Sequence, residues 1–290
     1  MAVRGTIASI RRYPMRSMRG EEIQRATITT RGVLGDRAFA LIDRETGKLA
    51  SAKRPSMWGK LLGFHAAFDA EAPGEGALPE VRITFPDGSV VSTGDPAIED
   101  RIGEVVGRPV RLVASHDGML FIEEVWHGDL KDSAEPYGPV IGDEDGEQLI
   151  DVPASLAAPE GFFDAAPIHL VTTATLRALA HATPGSRFDV ERFRPNLVVD
   201  VGDADGFPEN DWPDRAIAIG DVRLDVLMPV PRCVMTTLPQ GDLPKDPDVL
   251  RTITKHNKIP ALAGVYPCVG VYATVAGEGD VRVGDAVALI

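Results

Sequence analysis

Prolines and glycines divide this sequence into short apolar stretches. Twenty-three prolines and 29 glycines occur among 290 residues, and both residue types favour turns over regular structure. Residues 81–85 alternate as a strand does. They are followed by the turn residues 86–89 and then by Val90 and Val91, which predicts a hairpin. A chain interrupted this often is expected to form many short strands and few long helices.

The apolar pattern predicts more strands than helices. Helical spacing occurs in residues 96–106, where Ile98, Ile102 and Val105 share one face, and again after Thr172 or Thr173, either of which can cap a helix. No G-x-G-x-x-G follows a strand, so a nicotinamide fold has no support. We therefore predict a mixed α/β class that is mainly β, built as a largely antiparallel β-barrel and not as a doubly wound parallel sheet.

Two blocks with clear periodicity flank a stretch in which the pattern is weak. We predict an N-terminal β-rich domain over residues 1–115, a linker or irregular excursion over 116–165, and a C-terminal β-barrel domain over 166–290. The acidic residues 143–147 fall in the middle stretch. They are expected to form a solvated loop, since the ligand spacing of an EF-hand calcium site is missing.

The charge balance indicates which kinds of partner the protein is expected to bind. With 43 acidic and 30 basic residues the net charge is −13, which repels nucleic acid and anionic lipid. No apolar run approaches the roughly 18 residues of a membrane span. We expect no nucleic-acid binding, no membrane insertion, a small-molecule or protein partner, and the cytoplasm as the compartment.

The two cysteines are too few and too far apart for a disulfide framework. Cys233 follows Arg232 after a Pro-x-Pro turn, and the guanidinium is expected to favour the thiolate, which binds metals or attacks electrophiles. The alternative is a small buried apolar side chain. Cys268 is expected to be a packed strand residue, with a second redox thiol as the alternative.

Arginines occur in three further turn-like segments. Arg194 and Asn196 stand at the mouth of an apolar strand, and the guanidinium fork and the amide suit a phosphate and a pterin edge. The alternative is a solvated strand end with paired charges. Arg16 and Ser17 follow a first strand and Arg37 follows a glycine turn; each alone is a weak signal. His169 lies in an apolar strand and is expected to be a core residue or to end near a pocket.

Taken in order, these segments resemble a known family. The ordered set is Tyr-Pro-x-basic-Ser, Gly-x-x-x-Asp-Arg, Arg-Phe-Arg-Pro-Asn-x-Val-Val and Arg-Cys-x-x-Thr-Thr, with the closing residues 281–287. It is similar to the MOSC superfamily, in the layout of an N-terminal MOSC β-barrel domain followed by a MOSC domain. Amidoxime-reducing components of mitochondria and their bacterial relatives share that layout.

The resemblance implies a molybdenum cofactor (molybdopterin) between the two blocks. Cys233 matches the metal-ligating and catalytic cysteine, which fits the preference of a soft thiolate for such a metal. The positions that match cofactor-binding residues are Arg16, Ser17, Arg37, Thr172, Thr173, Arg194, Asn196 and Arg232. The implied activity is reduction of N-oxygenated (N-hydroxylated) compounds, with electrons from a separate donor protein, because no iron–sulfur or flavin pattern is present. Pyridoxal phosphate is not expected.

Departures from the family pattern keep rival functions open. An arginine stands at position 16 where the family usually has lysine, and the Asp that often follows the Thr-Thr pair is missing after Thr237. A molybdenum-cofactor carrier or a sulfur-handling protein that uses Cys233 is therefore the alternative to an enzyme. A protein that keeps the fold and binds no metal is a third option.

Overall fold

Residues 4–70, 78–114, 119–126, 138–144, 146–153, 161–261 and 264–290 are described by the structure, a computed structural model. His116, His127 and Asp145, together with part of the predicted linker, lie outside these ranges. In the described residues no helix has the length and apolar character needed to cross a membrane. Strands predominate over helices in them, which confirms the predicted mainly β class.

The strands are β1 (Arg4–Arg12), β2 (Glu21–Ile23), β3 (Arg25–Thr29), β4 (Gly32–Val33), β5 (Ala40–Asp43), β6 (His65–Phe68), β7 (Val81–Thr84), β8 (Val90–Ser92), β9 (Val110–Val113), β10 (Phe121–Trp126), β11 (Val140–Glu144), β12 (Glu147–Pro153), β13 (Ile168–Thr172), β14 (Leu197–Asp200), β15 (Ala216–Ile219), β16 (Val222–Pro231), β17 (Lys258–Ala261), β18 (Gly264–Gly277), β19 (Gly279–Arg282) and β20 (Ala286–Leu289). The α-helices are α1 (Pro55–Trp58), α2 (Ile98–Val106), α3 (Thr173–Ala182), α4 (Val190–Phe193) and α5 (Asp248–His256). Single turns of 3-10 helix occur at Gly59–Gly63, Pro208–Asp211 and Val234–Thr237.

Seven strands close into a barrel in the order β13-β14-β1-β20-β15-β16-β18, and β18 pairs back with β13. Only the β13–β14 pair in this ring is parallel; the other pairs are antiparallel. Buried and exposed side chains alternate along the barrel strand β16. Val222, Leu224 and Val226 are buried, whereas Arg223 and Asp225 between them are exposed. This is the inward and outward alternation expected of a barrel strand.

The first strand belongs to this barrel although it begins the chain. β1 pairs with β14 on one side and with β20 on the other. The segment after β1 is thereby placed at the same end of the barrel as the segment before β14. The division at residues 115 and 166 stays a prediction.

A second core lies between α2 and the sheet β6–β7–β8. The hairpin predicted at residues 81–91 is confirmed by the pairing of β7 with β8. The predicted helix is confirmed as α2; Ile98 and Ile102 are buried as expected, but Val106 is buried in place of the half-buried Val105. The helix ends at Gly107, whose φ of 86° is a left-handed conformation that glycine adopts readily.

The stretch 116–165, expected to be a linker or irregular excursion, contains a three-stranded sheet in its described part, in the order β10-β12-β11. Asp143 and Glu144 of the acidic stretch belong to β11, and Asp143 Oδ1 accepts a hydrogen bond from Gly146 N at 3.0 Å in the turn towards β12. The pattern of β11 is mostly exposed, so the sequence lacks the apolar alternation that signals a strand.

Candidate functional site

A cavity of about 210 Å³ opens where the segments after β1, before β14 and after β16 meet. Its lining residues are Arg16, Ser17, Arg37, Ser51, Lys53, Ile122, Glu124, Val152, Pro153, Phe162, Phe163, Asp164, Ala165, Ala166, His169, Arg192, Phe193, Arg194, Asn196, Met228, Pro231, Arg232, Cys233, Met235, Thr236, Tyr266 and Tyr272.

Most of the residues singled out from the sequence meet in this cavity. They are Arg16, Ser17, Arg37, Arg194, Asn196, Arg232 and Cys233. The insertion of β1 between β14 (Leu197–Asp200) and β20 (Ala286–Leu289) explains this convergence, since it places the N-terminal arginines beside strands far along the chain. Barrel closure therefore brings the separate sequence segments into one site.

Cys233 stands two residues after the end of β16 and directly precedes the 3-10 turn Val234–Thr237. Arg192 holds the backbone that follows Cys233. Its Nη1 donates to the carbonyls of Thr236 at 3.0 Å and Leu238 at 3.2 Å, and its Nη2 donates to the carbonyl of Pro244 at 2.8 Å. Arg192 is 1% exposed. A charged fork that satisfies several buried carbonyls fixes the backbone that presents the thiol.

The electrostatics of Cys233 differ from the expectation drawn from Arg232. Burial raises the pKa of the Cys233 thiol, and the charge of Glu124 raises it further. The Arg232 guanidinium is engaged elsewhere: Nη1 donates to Phe193 O at 3.0 Å, Nε to Val269 O at 3.1 Å, and Nη2 to Nε2 of His169 at 2.7 Å. The neutral thiol is therefore favoured until a cation replaces its proton.

Arg37 and Arg194 share one aromatic platform. The guanidinium carbons lie 4.4 Å and 4.5 Å from the centre of the Tyr13 ring, within cation–π range. Arg37 Nη2 also donates to Arg194 O at 3.1 Å, and its Nη1 pairs with Asp36 Oδ2 at 2.5 Å. Burial, followed by the charge of Arg37, lowers the pKa of Arg194 to about 10. The two cations are thus held close together at the cavity wall.

Backbone strain is concentrated at this cavity. In the described part of the chain four non-glycine residues have positive φ, and three of them line the cavity: Ser17 (62°), Arg37 (46°) and Arg194 (55°). Left-handed backbone costs a non-glycine residue about 1–2 kcal/mol. Such strain is typical of functional sites, where surrounding contacts hold a side chain in place.

Arg16 binds the segment at residues 162–164. Its Nη1 donates to the carbonyls of Phe162 at 2.6 Å and Phe163 at 3.0 Å, and its Nη2 pairs with Asp164 Oδ1 at 2.5 Å. Burial alone would raise the pKa of Asp164, but the cations Lys53, Arg16 and Arg37 hold it well below its usual range. Arg16 Nε is buried and has no hydrogen-bond partner among the described atoms.

Asn196 lines the cavity, but its amide is used within the protein. Oδ1 accepts from His169 N at 3.1 Å, and Nδ2 donates to Arg11 O at 3.4 Å. Ser17 Oγ likewise accepts from Ala52 N at 3.2 Å. Both side chains hold neighbouring segments in register, so their contribution to the cavity is first of all structural.

Thr172 and Thr173 do not reach the cavity. Thr172 caps α3, since its Oγ1 accepts from Thr175 N at 3.2 Å, and it donates to the buried Glu209 at 2.6 Å. Thr173 Oγ1 donates to Asp200 Oδ1 at 3.0 Å. The helix-cap prediction is confirmed, whereas a contact of these hydroxyls with a pterin has no support from the geometry.

The sequence did not identify Lys53, Glu124 and Asp164 as site residues. Lys53 Nζ lies 3.1 Å from Glu124 Oε2 and 3.6 Å from Asp164 Oδ1. No motif connects these positions; they meet only because the strand β10 packs beside the segment around residue 52. His169 also lines the cavity. Burial, followed by Arg232, lowers its pKa well below the usual value. His169 is thus a buried residue that also ends at the pocket, so both expectations describe it.

Metal binding at this site would depend on Cys233. In the part of the chain that the structure describes, no group of three or more His, Cys, Asp or Glu side chains is arranged to hold a metal ion. Cys268 is buried, and its thiol donates to Tyr266 O at 3.3 Å, as expected for a packed strand residue.

Comparison with known proteins agrees with this layout. The MOSC N-terminal beta barrel domain matches residues 4–62 and the MOSC domain matches residues 158–288. Mitochondrial amidoxime reducing component 2 of Bos taurus is 24% identical over 309 residues, covering 98% of this chain and 82% of the relative. Mitochondrial amidoxime-reducing component 1 of Homo sapiens is 23% identical over 310 residues, covering 99% and 83%. Molybdenum cofactor sulfurase of Drosophila yakuba is 31% identical over 97 residues, covering 33% and 12%. The chain therefore belongs to the MOSC family and combines an N-terminal MOSC β-barrel domain with a MOSC domain.

Proposed function

We propose that this protein binds a molybdenum cofactor in the cavity and reduces N-oxygenated compounds with electrons from a separate donor protein. The observation that carries the proposal is the meeting of a single thiol, Cys233, with five arginines in one cavity. Its relatives named amidoxime reducing component extend over nearly the whole chain.

The donor set fits such a cofactor. Molybdopterin offers a dithiolene to the metal and carries a phosphate, so the protein needs one soft ligand and several cationic hydrogen-bond donors. Cys233 supplies the soft ligand. Arg37 and Arg194 form the phosphate-binding pair, and Arg16, whose buried Nε has no partner among the described atoms, adds a further donor.

The protein's own side chains have defined tasks in this proposal. The cofactor, when bound, supplies the two-electron chemistry that cleaves an N–O bond. Arg192 holds the backbone that presents Cys233. Arg232 fixes Phe193 and β18 beside the thiol. Phe162 and Phe163, both buried, screen part of the cavity from water.

A carrier or sulfur-handling function is the second candidate. It is favoured by the similarity of one third of this chain to molybdenum cofactor sulfurase and by the missing Asp after Thr237. In that case Cys233 would hold the cofactor or a sulfur atom without turnover.

Turnover of benzamidoxime distinguishes the two candidates. Cofactor-loaded protein and a reduced artificial donor should convert each benzamidoxime to benzamidine and water with two electrons and two protons, and Cys233→Ser should abolish the reaction. Cys268→Ser is the matched control, because this buried thiol should not be needed. Loaded protein that consumes no electrons with N-hydroxylated substrates, but transfers its cofactor to an apoenzyme, would establish the carrier instead. The cytoplasmic location and the donor protein stay predictions.

A further inference from the structure

The part of the cavity wall formed by β10 and β12 lies outside the two matched family domains. Ile122 and Glu124 of β10 and Val152 and Pro153 of β12 line the cavity. The matched domains cover residues 4–62 and 158–288, so all four residues fall between them. The two domain patterns therefore do not specify these wall residues, although the relatives named amidoxime reducing component align over nearly the whole chain.

Glu124 is the one charged residue among these four. Successive side chains of a strand point to opposite faces. Ile122 and Glu124 therefore face the cavity, whereas Glu123 between them pairs with Lys48 at 3.0 Å and with Arg54 on the other face. Glu124 is 5% exposed. Glu124 and Cys233 line the same cavity.

The carboxylate is held in place by a cation from another segment. Lys53 Nζ donates to Oε2 at 3.1 Å, and the backbone of the same residue accepts from Val125 N at 3.2 Å. A buried carboxylate with its position fixed in this way is a strong acceptor for N–H groups. The cavity also holds five arginines, and its other carboxylate, Asp164, pairs with Arg16. Glu124 therefore adds a negative charge to a mainly cationic cavity.

We infer that Glu124 is a specificity-determining residue that binds the amino group adjacent to the N–O function of the substrate. This rests on the proposed function. An amidoxime or an N-hydroxyguanidine carries such an amino group and can donate to the carboxylate as a guanidinium does. A substrate with the same N–OH group and no neighbouring amino group lacks this contact. Glu124 takes part in binding only.

The test compares two ligands on three cofactor-loaded proteins: wild type, Glu124→Gln and the control Glu123→Gln. Benzamidine carries the amino groups, and benzaldoxime has the same ring and an N–OH group without them. Dissociation constants from calorimetry and the KM and kcat for benzamidoxime are measured, together with molybdenum content and thermal stability.

Loss of a charge-assisted hydrogen bond should weaken benzamidine binding to Glu124→Gln by about tenfold or more and raise KM more than it lowers kcat. Benzaldoxime binding should change less than about twofold, and Glu123→Gln should resemble wild type for both ligands. Equal losses for both ligands, unchanged benzamidine binding, or the same effect in Glu123→Gln would each overturn the assignment. Wild type without molybdenum would instead reject the proposed function, and this inference with it.

Discussion

Tyr13 supports two of the proposed cofactor-binding arginines, so its ring can be tested directly. Tyr13→Leu removes the platform that lies 4.4 Å from the Arg37 guanidinium and 4.5 Å from that of Arg194. A desolvated cation–π contact contributes about 2 kcal/mol and an exposed one about 0.5–1 kcal/mol. Two buried contacts therefore predict a loss of roughly 2–4 kcal/mol in the free energy of unfolding.

The same change should weaken cofactor retention. If the two guanidiniums lose their fixed position and this costs about 1.4 kcal/mol of binding free energy, the cofactor is held tenfold less tightly. Urea unfolding of the cofactor-free protein gives the first quantity. Molybdenum and pterin content of proteins purified in parallel gives the second. We expect Tyr13→Leu to have a lower free energy of unfolding and a lower molybdenum and pterin content than wild type.

Two variants separate the ring from general stability. Tyr13→Phe keeps the ring and removes a hydroxyl that is buried without a partner among the described atoms, so it should match wild type in both measurements. Phe85→Leu removes the ring that lies 4.9 Å below Arg101 in the N-terminal core. It should lower stability but leave cofactor content unchanged. The reasoning is refuted if Tyr13→Leu retains as much cofactor as wild type does. It is also refuted if Phe85→Leu loses as much cofactor as Tyr13→Leu.

Three further changes test the scaffold around the site. Burial raises the pKa of the Glu209 carboxyl. The stability that the protonated carboxyl contributes is therefore present below the pKa of Glu209 in the unfolded chain, and it is lost as pH rises through the pKa of Glu209 in the folded protein. In urea unfolding, Glu209→Gln should become more stable relative to wild type over that rise in pH. Arg192→Met leaves several buried carbonyls unpaired and should cost about 3 kcal/mol or more; alkylation of Cys233, followed by mass spectrometry, should become faster. In Gly270→Ala the added Cβ would lie 2.3 Å from a carbonyl of β13 at a φ of +80°, so thermal unfolding should show a loss of about 3 kcal/mol or more. Gly47→Ala, which also has positive φ but an open surrounding, should cost only about 1 kcal/mol.

The sequence predicted the elements whose pattern is local. The β7–β8 hairpin is specified by its turn residues, and α2 by apolar residues at helical spacing. The sheet formed by β10, β11 and β12 was missed because β11 is mostly exposed and its pairing depends on β12. A strand that has no buried face of its own leaves little signal in its sequence.

The sequence predicted the site residues that stand in motifs. It did not predict those that reach the site only through tertiary packing. Arg194 and Cys233 stand in recognisable segments, and both line the cavity. Lys53 and Glu124 meet only through tertiary packing, and neither stands in a motif. Thr172 illustrates the opposite case: a threonine after a strand suits a ligand or a helix cap equally well, and Glu209, 37 positions away, engages the hydroxyl.

Molybdenum and pterin content is the most direct test of the account. The protein should be made in a molybdate-fed host that loads a known molybdoenzyme in parallel, as wild type, Cys233→Ala and the control Cys268→Ala. The account predicts near-stoichiometric molybdenum and pterin in wild type and in Cys268→Ala, and loss of metal or of the thiolate-to-metal absorption in Cys233→Ala. Absence of both molybdenum and pterin from all three proteins would contradict the central claim and leave the cavity around Cys233 to another ligand.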